Sequence, residues 1–237
     1  MIDTHCHLLP GLDDGPETPA EALLLAERLL ASGVTAVLCT THFSRDFPTS
    51  WGAVLAGVAT LSRELAEARV PLMLIPSAEV SPVFAVTQPL EALHMRSIGG
   101  RHLVVEALLD SPELFFHSVI ERLASTGLRP IYAHPERAQS VQRRPGLLDG
   151  VREAGALVQV LAPSLLGRWG QSAARCAWSL VENGTADLLG SDAHGVRRRR
   201  VHLAEAAGAV ARRYGPRRAE ELTVLAPQEL IGERVPG

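Results

Sequence analysis

The chain reads as an α/β protein built on a mainly parallel sheet, and three observations carry that reading. Short apolar, β-branched segments alternate with helical ones along all 237 residues, the pattern of repeated strand–helix–strand units. Right-handed crossovers then place the helices outside the sheet. Histidines and carboxylates fall at the C-terminal ends of the strand segments, where α/β barrels carry their chemistry. No glycine-rich turn of the dinucleotide-binding kind follows the first strand. On this much, a closed barrel and an open doubly wound sheet both remain.

The first strand covers 1–5, and the helix after it is signed at both ends. Thr18-Pro-Ala-Glu21 forms a capping box with proline at the first helical position. Leu23, Leu24, Leu29 and Leu30 supply its apolar side, and Gly33 supplies the stop. The second strand covers 34–40 and is followed by a helix over 50–69. The third covers 71–78. The stretch 84–98 after it is irregular, with Pro89 interrupting it. Strands over 101–107, 129–133, 156–162 and 186–191 lead into helices over 112–126, 144–154, 171–183 and 201–213. No linker, repeat or low-complexity tract divides the chain, so one domain over 1–237 is expected.

With 46% hydrophobic but only 4% aromatic residues, the core must be built from Leu, Val, Ala and Ile. The formal charge of −3 argues against a global basic field that recruits nucleic acid. Every basic residue is arginine, which GC-rich codon usage explains. The run Arg197–Arg200, with Arg212, Arg213, Arg217 and Arg218, reads as solvated helix faces, or as a basic rim that guides an acidic phosphopeptide. Cys6, Cys39 and Cys176 form no CxxC pair and suit a reducing cytoplasm. Neither a signal peptide nor a membrane span is visible, so a cytoplasmic protein is expected.

The strand ends are the informative positions. His5 and His7 are one residue apart, so a strand turns both to one side and Cys6 away. Asp14 follows in the next loop. The second strand delivers His42, the third Glu79, the fourth Glu106, the fifth His134 and the seventh Asp192 and His194. Five imidazoles and four carboxylates exceed the coordination of one ion, so two or three ions are implied. A carboxylate such as Glu106 can bridge two of them. A thiolate-free set of this kind suits Mn, Fe or Zn. Cys39-Thr-Thr-His-Phe-Ser-Arg45 matches the Cys-x5-Arg spacing of thiol-dependent tyrosine phosphatases. Its loop holds no glycine and its His42 is already claimed, so we read the match as chance. Trp51 and Trp169 read as partly buried packing residues rather than stacking surfaces.

Taken together, these residues resemble the PHP (polymerase and histidinol phosphatase) superfamily. They are most similar to its bacterial manganese-dependent protein-tyrosine phosphatase branch, which acts in capsule and exopolysaccharide regulation. The resemblance rests on Met1-Ile-Asp-x-His5-x-His7, Asp13-Asp-Gly-Pro16, His134-Pro-Glu-Arg137, Ser164-Leu-Leu-Gly-Arg-Trp-Gly170, Ser191-Asp-Ala-His194 and Pro227-Gln-Glu-Leu230, spread over nearly the whole chain. It implies a distorted (β/α)7 TIM-like barrel with three metal ions, Mn²⁺ above all. By motif, His5, His7, Glu106 and Asp192 hold one ion. His42, Glu106 and His134 hold a second, and Asp14, Glu79 and His194 a third. Arg137 and Arg199 match arginines that bind substrate phosphate, although the run 197–200 leaves the second one open by a residue. The implied partner is a phosphotyrosine protein, a bacterial tyrosine autokinase. The chain departs from the family at Ser77-Ala-Glu-Val-Ser-Pro82, where Gly-x-Glu and a large apolar residue are usual.

Such a site hydrolyses phosphate esters with a metal-activated water. The two arginines bind phosphoryl oxygens, and His194 is a candidate proton donor to the leaving phenolate. A small-molecule phosphomonoesterase, such as a histidinol-phosphate phosphatase, or a phosphodiesterase is the alternative.

Overall fold

The computed structural model describes residues 1–110, 113–197 and 199–232. In chain order its elements are β1 (Ile2–Cys6), α1 (Pro19–Ala31), β2 (Ala36–Phe43), α2 (Trp51–Glu67), β3 (Met73–Val80), α3 (Pro82–Thr87), α4 (Leu90–Met95) and β4 (His102–Glu106). They continue with α5 (Glu113–Ala124), β5 (Arg129–Ala133), α6 (Gln139–Arg143), α7 (Leu147–Glu153), β6 (Leu157–Leu161) and α8 (Ala162–Leu165). The chain then runs through α9 (Gln171–Glu182), β7 (Leu188–Gly190), α10 (Leu203–Tyr214), α11 (Pro216–Glu220) and α12 (Ala226–Ile231).

The seven strands pair in parallel in the order β1 to β7. The sheet curls until β1 meets the segment leaving β7. Asp192 N donates to His5 O at 2.8 Å, and His7 N to Ala193 O at 2.9 Å. The result is a nearly closed α/β barrel, and the open doubly wound sheet is eliminated. A Cβ on Gly190 would lie 2.5 Å from His5 Cβ, so only glycine lets these two strands close at that point.

The helices form where local chemistry starts and stops them. Thr18 Oγ1 accepts from Glu21 N as the capping box predicts, while Glu21 Oε2 reaches back one residue further than the box requires and accepts from Glu17 N. Gly33 takes φ +86° two residues beyond the last helical turn. The helix expected over 144–154 is α7, shorter at Leu147–Glu153, and the short helix α6 before it was not expected. Pro145 removes an amide and forces Arg144 to ψ 81°. Pro89 divides the irregular 84–98 stretch in the same way, with Gln88 extended at ψ 153°. The start of the helix expected from residue 112 lies outside the described residues.

β2 and β3 run to Phe43 and Val80, beyond the expected 40 and 78, with His42 in register with Glu79. Two candidate site residues therefore sit inside paired strands, where the pleat aims them. Within the barrel, Leu38, Val104, Ile131, Ala133 and Leu188 pack with Ile98 and Leu230. Ile231 contacts Ile2 and Ala36. Helix α12, unforeseen in the sequence, thus stops the N-terminal mouth. No described helix is long and apolar enough to cross a membrane.

Candidate metal centre

Strand parity delivers the candidate ligands. His5 and His7 bring their Nε2 atoms within 3.3 Å of each other, while Cys6 is wholly buried in the apolar layer between sheet and helices. Ile2 and His5 are three residues apart yet share the barrel side, which the register shift between Asp3 and Cys6 permits. Each imidazole is oriented from behind. His5 Nδ1 lies 2.7 Å from Gln159 Oε1. The Gln159 amide nitrogen donates to Thr4 O and Thr4 Oγ1, so its oxygen must accept from His5. His7 Nδ1 lies 2.7 Å from Asp13 Oδ2. With both Nδ1 atoms donating, the neutral rings turn their Nε2 lone pairs toward one another, a geometry that suits a cation between them.

Glu79 is the hub of the cluster. Its Oε2 lies 3.3 Å from His5 Nε2, 3.3 Å from His7 Nε2 and 3.2 Å from His42 Nδ1, and its Oε1 lies 2.9 Å from His134 Nε2. Asp192 Oδ1 stands 3.7 and 3.8 Å from His5 and His7 Nε2. Asp14 Oδ1 is 3.1 Å from His194 Nε2 and 3.5 Å from His42 Nε2. Three sets have donor atoms close enough to hold an ion: His7, Asp14, His42 and His194; His5, Glu79 and His134; and His5, His7 and Asp192. Glu79 Oε2 and Asp192 Oδ2 are buried without a hydrogen-bond donor. Buried carboxylate oxygens without donors are costly in a folded chain. They fit oxygen ligands of divalent cations.

The grouping differs from the one the resemblance implies. Glu79 lies against four imidazoles rather than with Asp14 and His194 alone, and Glu106 joins none of the three sets. Register gives the reason. Glu79 is level with His42 on β2 and Val104 on β4, and Glu106 stands two residues further along β4. Glu106 still lines the pocket above the cluster. Burial, then the charge of Glu79, pushes its carboxyl pKa up.

The electrostatics reflect crowding. Burial alone would lower the pKa of His5 and His7, but Glu79 acting on His5, and Asp13 acting on His7, raise both. Burial lowers His42 to about 4 and, together with the charge of His7, lowers His194. Glu79 is held well below the usual carboxylate range, since the imidazoles outweigh its burial. Three of the four described non-glycine residues at positive φ belong to this site: His134 at +43°, Asp192 at +53° and Arg199 at +43°. Strain of this kind persists where surrounding structure enforces it.

An open pocket of about 540 Å³ leads down to the cluster. Arg137 and Arg199 line it together with Ala107, Leu108 and Leu109. Arg137 Nη1 is 3.9 Å from Asp192 Oδ2, and Arg199 Nη1 is 3.5 Å from Asp14 Oδ2. Of the ambiguous arginine run, Arg199 faces the site, Arg200 lines a groove beside α1, and Arg198 lies outside the described residues. Trp51 packs against Phe43 as expected. Trp169 does more, lying beneath both pocket arginines. Sequence reading passed over Asp13 and Gln159 as well. The signals were present: Asp13 adjoins Asp14, and Gln159 is the lone polar residue of the apolar strand 157–161. Cys39 is fully buried and three residues from His42, hence on the opposite face of β2.

A family model for capsular polysaccharide synthesis proteins, CpsB/CapC, matches residues 1–232. The tyrosine-protein phosphatase YwqE of Bacillus subtilis is 29% identical over 217 residues, 91% of this chain and 85% of its own. The tyrosine-protein phosphatase CpsB of Streptococcus pneumoniae is 22% identical across 99% of this chain and 100% of its own. A solved structure from work on YwqE of B. subtilis and CpsB of S. pneumoniae, described as unique metal-dependent tyrosine phosphatases, superposes with a TM-score of 0.87. It is 28% identical, over 99% of this chain and 96% of that one. A β-aspartyl dipeptidase of Fervidobacterium islandicum shares the fold alone, at 14% identity and a TM-score of 0.62 over 97% of this chain and 72% of that one.

Proposed function

The chain belongs to the CpsB/CapC family of capsular polysaccharide synthesis, and from that premise we propose that it is a metal-dependent protein-tyrosine phosphatase. The observation that carries the reading is the convergence of His5, His7, Asp14, His42, Glu79, His134, Asp192 and His194 below a pocket walled by two arginines. We assign these eight residues and Glu106 as ligands of three divalent ions, manganese in the first instance. We treat residues 1–237 as one phosphatase domain. Its substrate is a phosphotyrosyl protein, by the family's role a tyrosine autokinase of capsule synthesis.

When bound, divalent ions supply charge neutralisation and lower the pKa of water toward neutrality. The remaining tasks fall to the chain. Arg137 and Arg199 donate forked hydrogen bonds to the phosphoryl oxygens. Leu108 and Leu109, 42% and 52% exposed on the pocket wall, receive the aryl ring. Gln139 holds that wall in place: its backbone N donates to Leu109 O, and its side chain to Asp110 Oδ1. A tyrosine phenolate, with a pKa of about 10, leaves with little protonic help, so His194 beside Arg199 serves as a ligand first. The path has no thiol phosphoenzyme, because Cys39 points into the apolar layer.

The test is hydrolysis of a phosphotyrosyl peptide by purified protein, before chelation, after it, and after Mn²⁺ is restored, beside phosphoseryl peptide and histidinol phosphate. Loss with chelator and recovery with manganese, on phosphotyrosine above the others, is the expected result. Absence of turnover by the manganese-loaded protein would overturn the reading. So would a preference for histidinol phosphate.

A further inference from the structure

Arg137 and Arg199 come from loops far apart in sequence, one after β5 and one after β7, and meet over one indole. The Arg137 guanidinium carbon lies 4.4 Å from the centroid of the Trp169 ring, and that of Arg199 lies 5.6 Å away. The loop that presents Trp169 is built for the purpose. Arg168 N donates to Pro163 O at 2.8 Å and Gly167 N to Ser164 O at 3.0 Å. Gly167 and Gly170 take φ +74° and +89°, so the turn between α8 and α9 needs glycine on both sides of the indole.

The indole is not there for its hydrogen bond. Trp169 Nε1 is buried and has no acceptor, whereas Trp178 Nε1 donates to Leu165 O at 3.0 Å. Phenylalanine at position 169 would avoid the cost of that orphaned N–H. What tryptophan offers instead is the most strongly negative aromatic face, the best partner for a guanidinium.

We propose that Trp169 is a positioning residue whose indole holds Arg137 and Arg199 together, preset for a phosphoryl group. Two long cationic side chains facing one pocket repel each other and lose rotamer freedom when they bind an anion. A ring in contact with both offsets the repulsion and orders them before substrate arrives, which lowers the cost of binding. The inference rests on the reading of Arg137 and Arg199 as phosphate ligands.

The experiment compares Trp169→Ala, Trp169→Leu and Trp169→Phe in the manganese-loaded full chain. It measures KM and kcat on a phosphotyrosyl peptide, inhibition by vanadate, and Tm. Trp169→Ala is expected to lower kcat/KM and weaken vanadate binding by about ten-fold, the scale of two such contacts, mostly through KM. Trp169→Phe should recover much of the loss and Trp169→Leu little. In an Arg137→Ala, Arg199→Ala background the effect of Trp169→Ala should vanish. Wild-type-like KM and vanadate inhibition in Trp169→Ala would overturn the proposal, as would rescue by leucine equal to that by phenylalanine. A loss that persists undiminished in the arginine-free background would also overturn it. The arginine variants alone test the underlying reading: if they keep full vanadate affinity, the phosphate assignment fails, not the platform's geometry.

Discussion

Asp13 Oδ2 accepts from His7 Nδ1 at 2.7 Å, and that bond decides which nitrogen of the ring is left for a metal. The same oxygen accepts from the backbone N of His42 at 3.0 Å, and Oδ1 accepts from Gly15 N. One buried carboxylate thus orients the imidazole of His7, just after β1, and anchors the backbone of His42 in β2. Replacing such an orienting partner typically costs about 10- to 100-fold in metal affinity or activity. We expect a loss of that size for Asp13→Ala, read as the Mn²⁺ concentration that restores half-maximal turnover.

Glu79→Ala and His134→Ala should each abolish turnover while the barrel remains folded, as circular dichroism would show. Glu79 contacts four imidazoles, so removing it leaves His5, His7, His42 and His134 without their shared counter-charge. Unchanged turnover in either variant would remove the assigned site altogether.

Metal should also stabilise the fold. A ligand bound only by the native state, at about 100 times its Kd, adds about 2.7 kcal/mol, or roughly 5–10 °C in Tm for a chain of this size. Scanning the chelated and the Mn²⁺-loaded protein in a calorimeter measures it. Equal melting temperatures would mean that the cluster holds no ion.

Cys39 should prove chemically silent. Burial, then the charge of Asp13, pushes its thiol up to about 12, so almost no thiolate exists at neutral pH. Cys39→Ser should retain turnover, and iodoacetamide should leave the native enzyme active. Inactivation with stoichiometric labelling at Cys39 would revive the thiol route.

His102 opens β4, and burial, then Arg101 and Arg129, lower its pKa to about 4. Its unfolded value is about 6.5. The folded state therefore disfavours the charged ring, and the unfolded chain binds the proton more tightly below pH 6.5. The contribution of His102 is fully present above that pH and is lost as pH falls toward 4. Between pH 7 and 5, His102→Gln should lose less Tm than the parent, both saturated with Mn²⁺. Parallel curves would refute the assignment.

Much of this protein follows from local rules that a sequence displays. Alternation of strands and helices gives the parallel α/β class, and Thr18 with Glu21 gives the first helix. The pleat of β1 turns His5 and His7 together and Cys6 away. The break at Pro89 was visible as a proline, whereas the one at Pro145 was read through, and the short helices α3, α4 and α6 have periods too brief to register. Helix α12 was hidden for a related reason, because Leu230 and Ile231 matter only once a barrel interior exists to receive them.

Side-chain type and strand position together named the candidate ligands, because metals require particular donor atoms and β-strands aim them with a period of two. What neither could settle is register, closure and approach across the barrel. Pairing of His42 with Glu79 put that carboxylate among four imidazoles. The seam at Gly190 brought Asp192 to His5, and the turn between α8 and α9 laid Trp169 under two arginines from different loops. Those relations depend on the distance between atoms far apart in the chain, and only packing in three dimensions determines it.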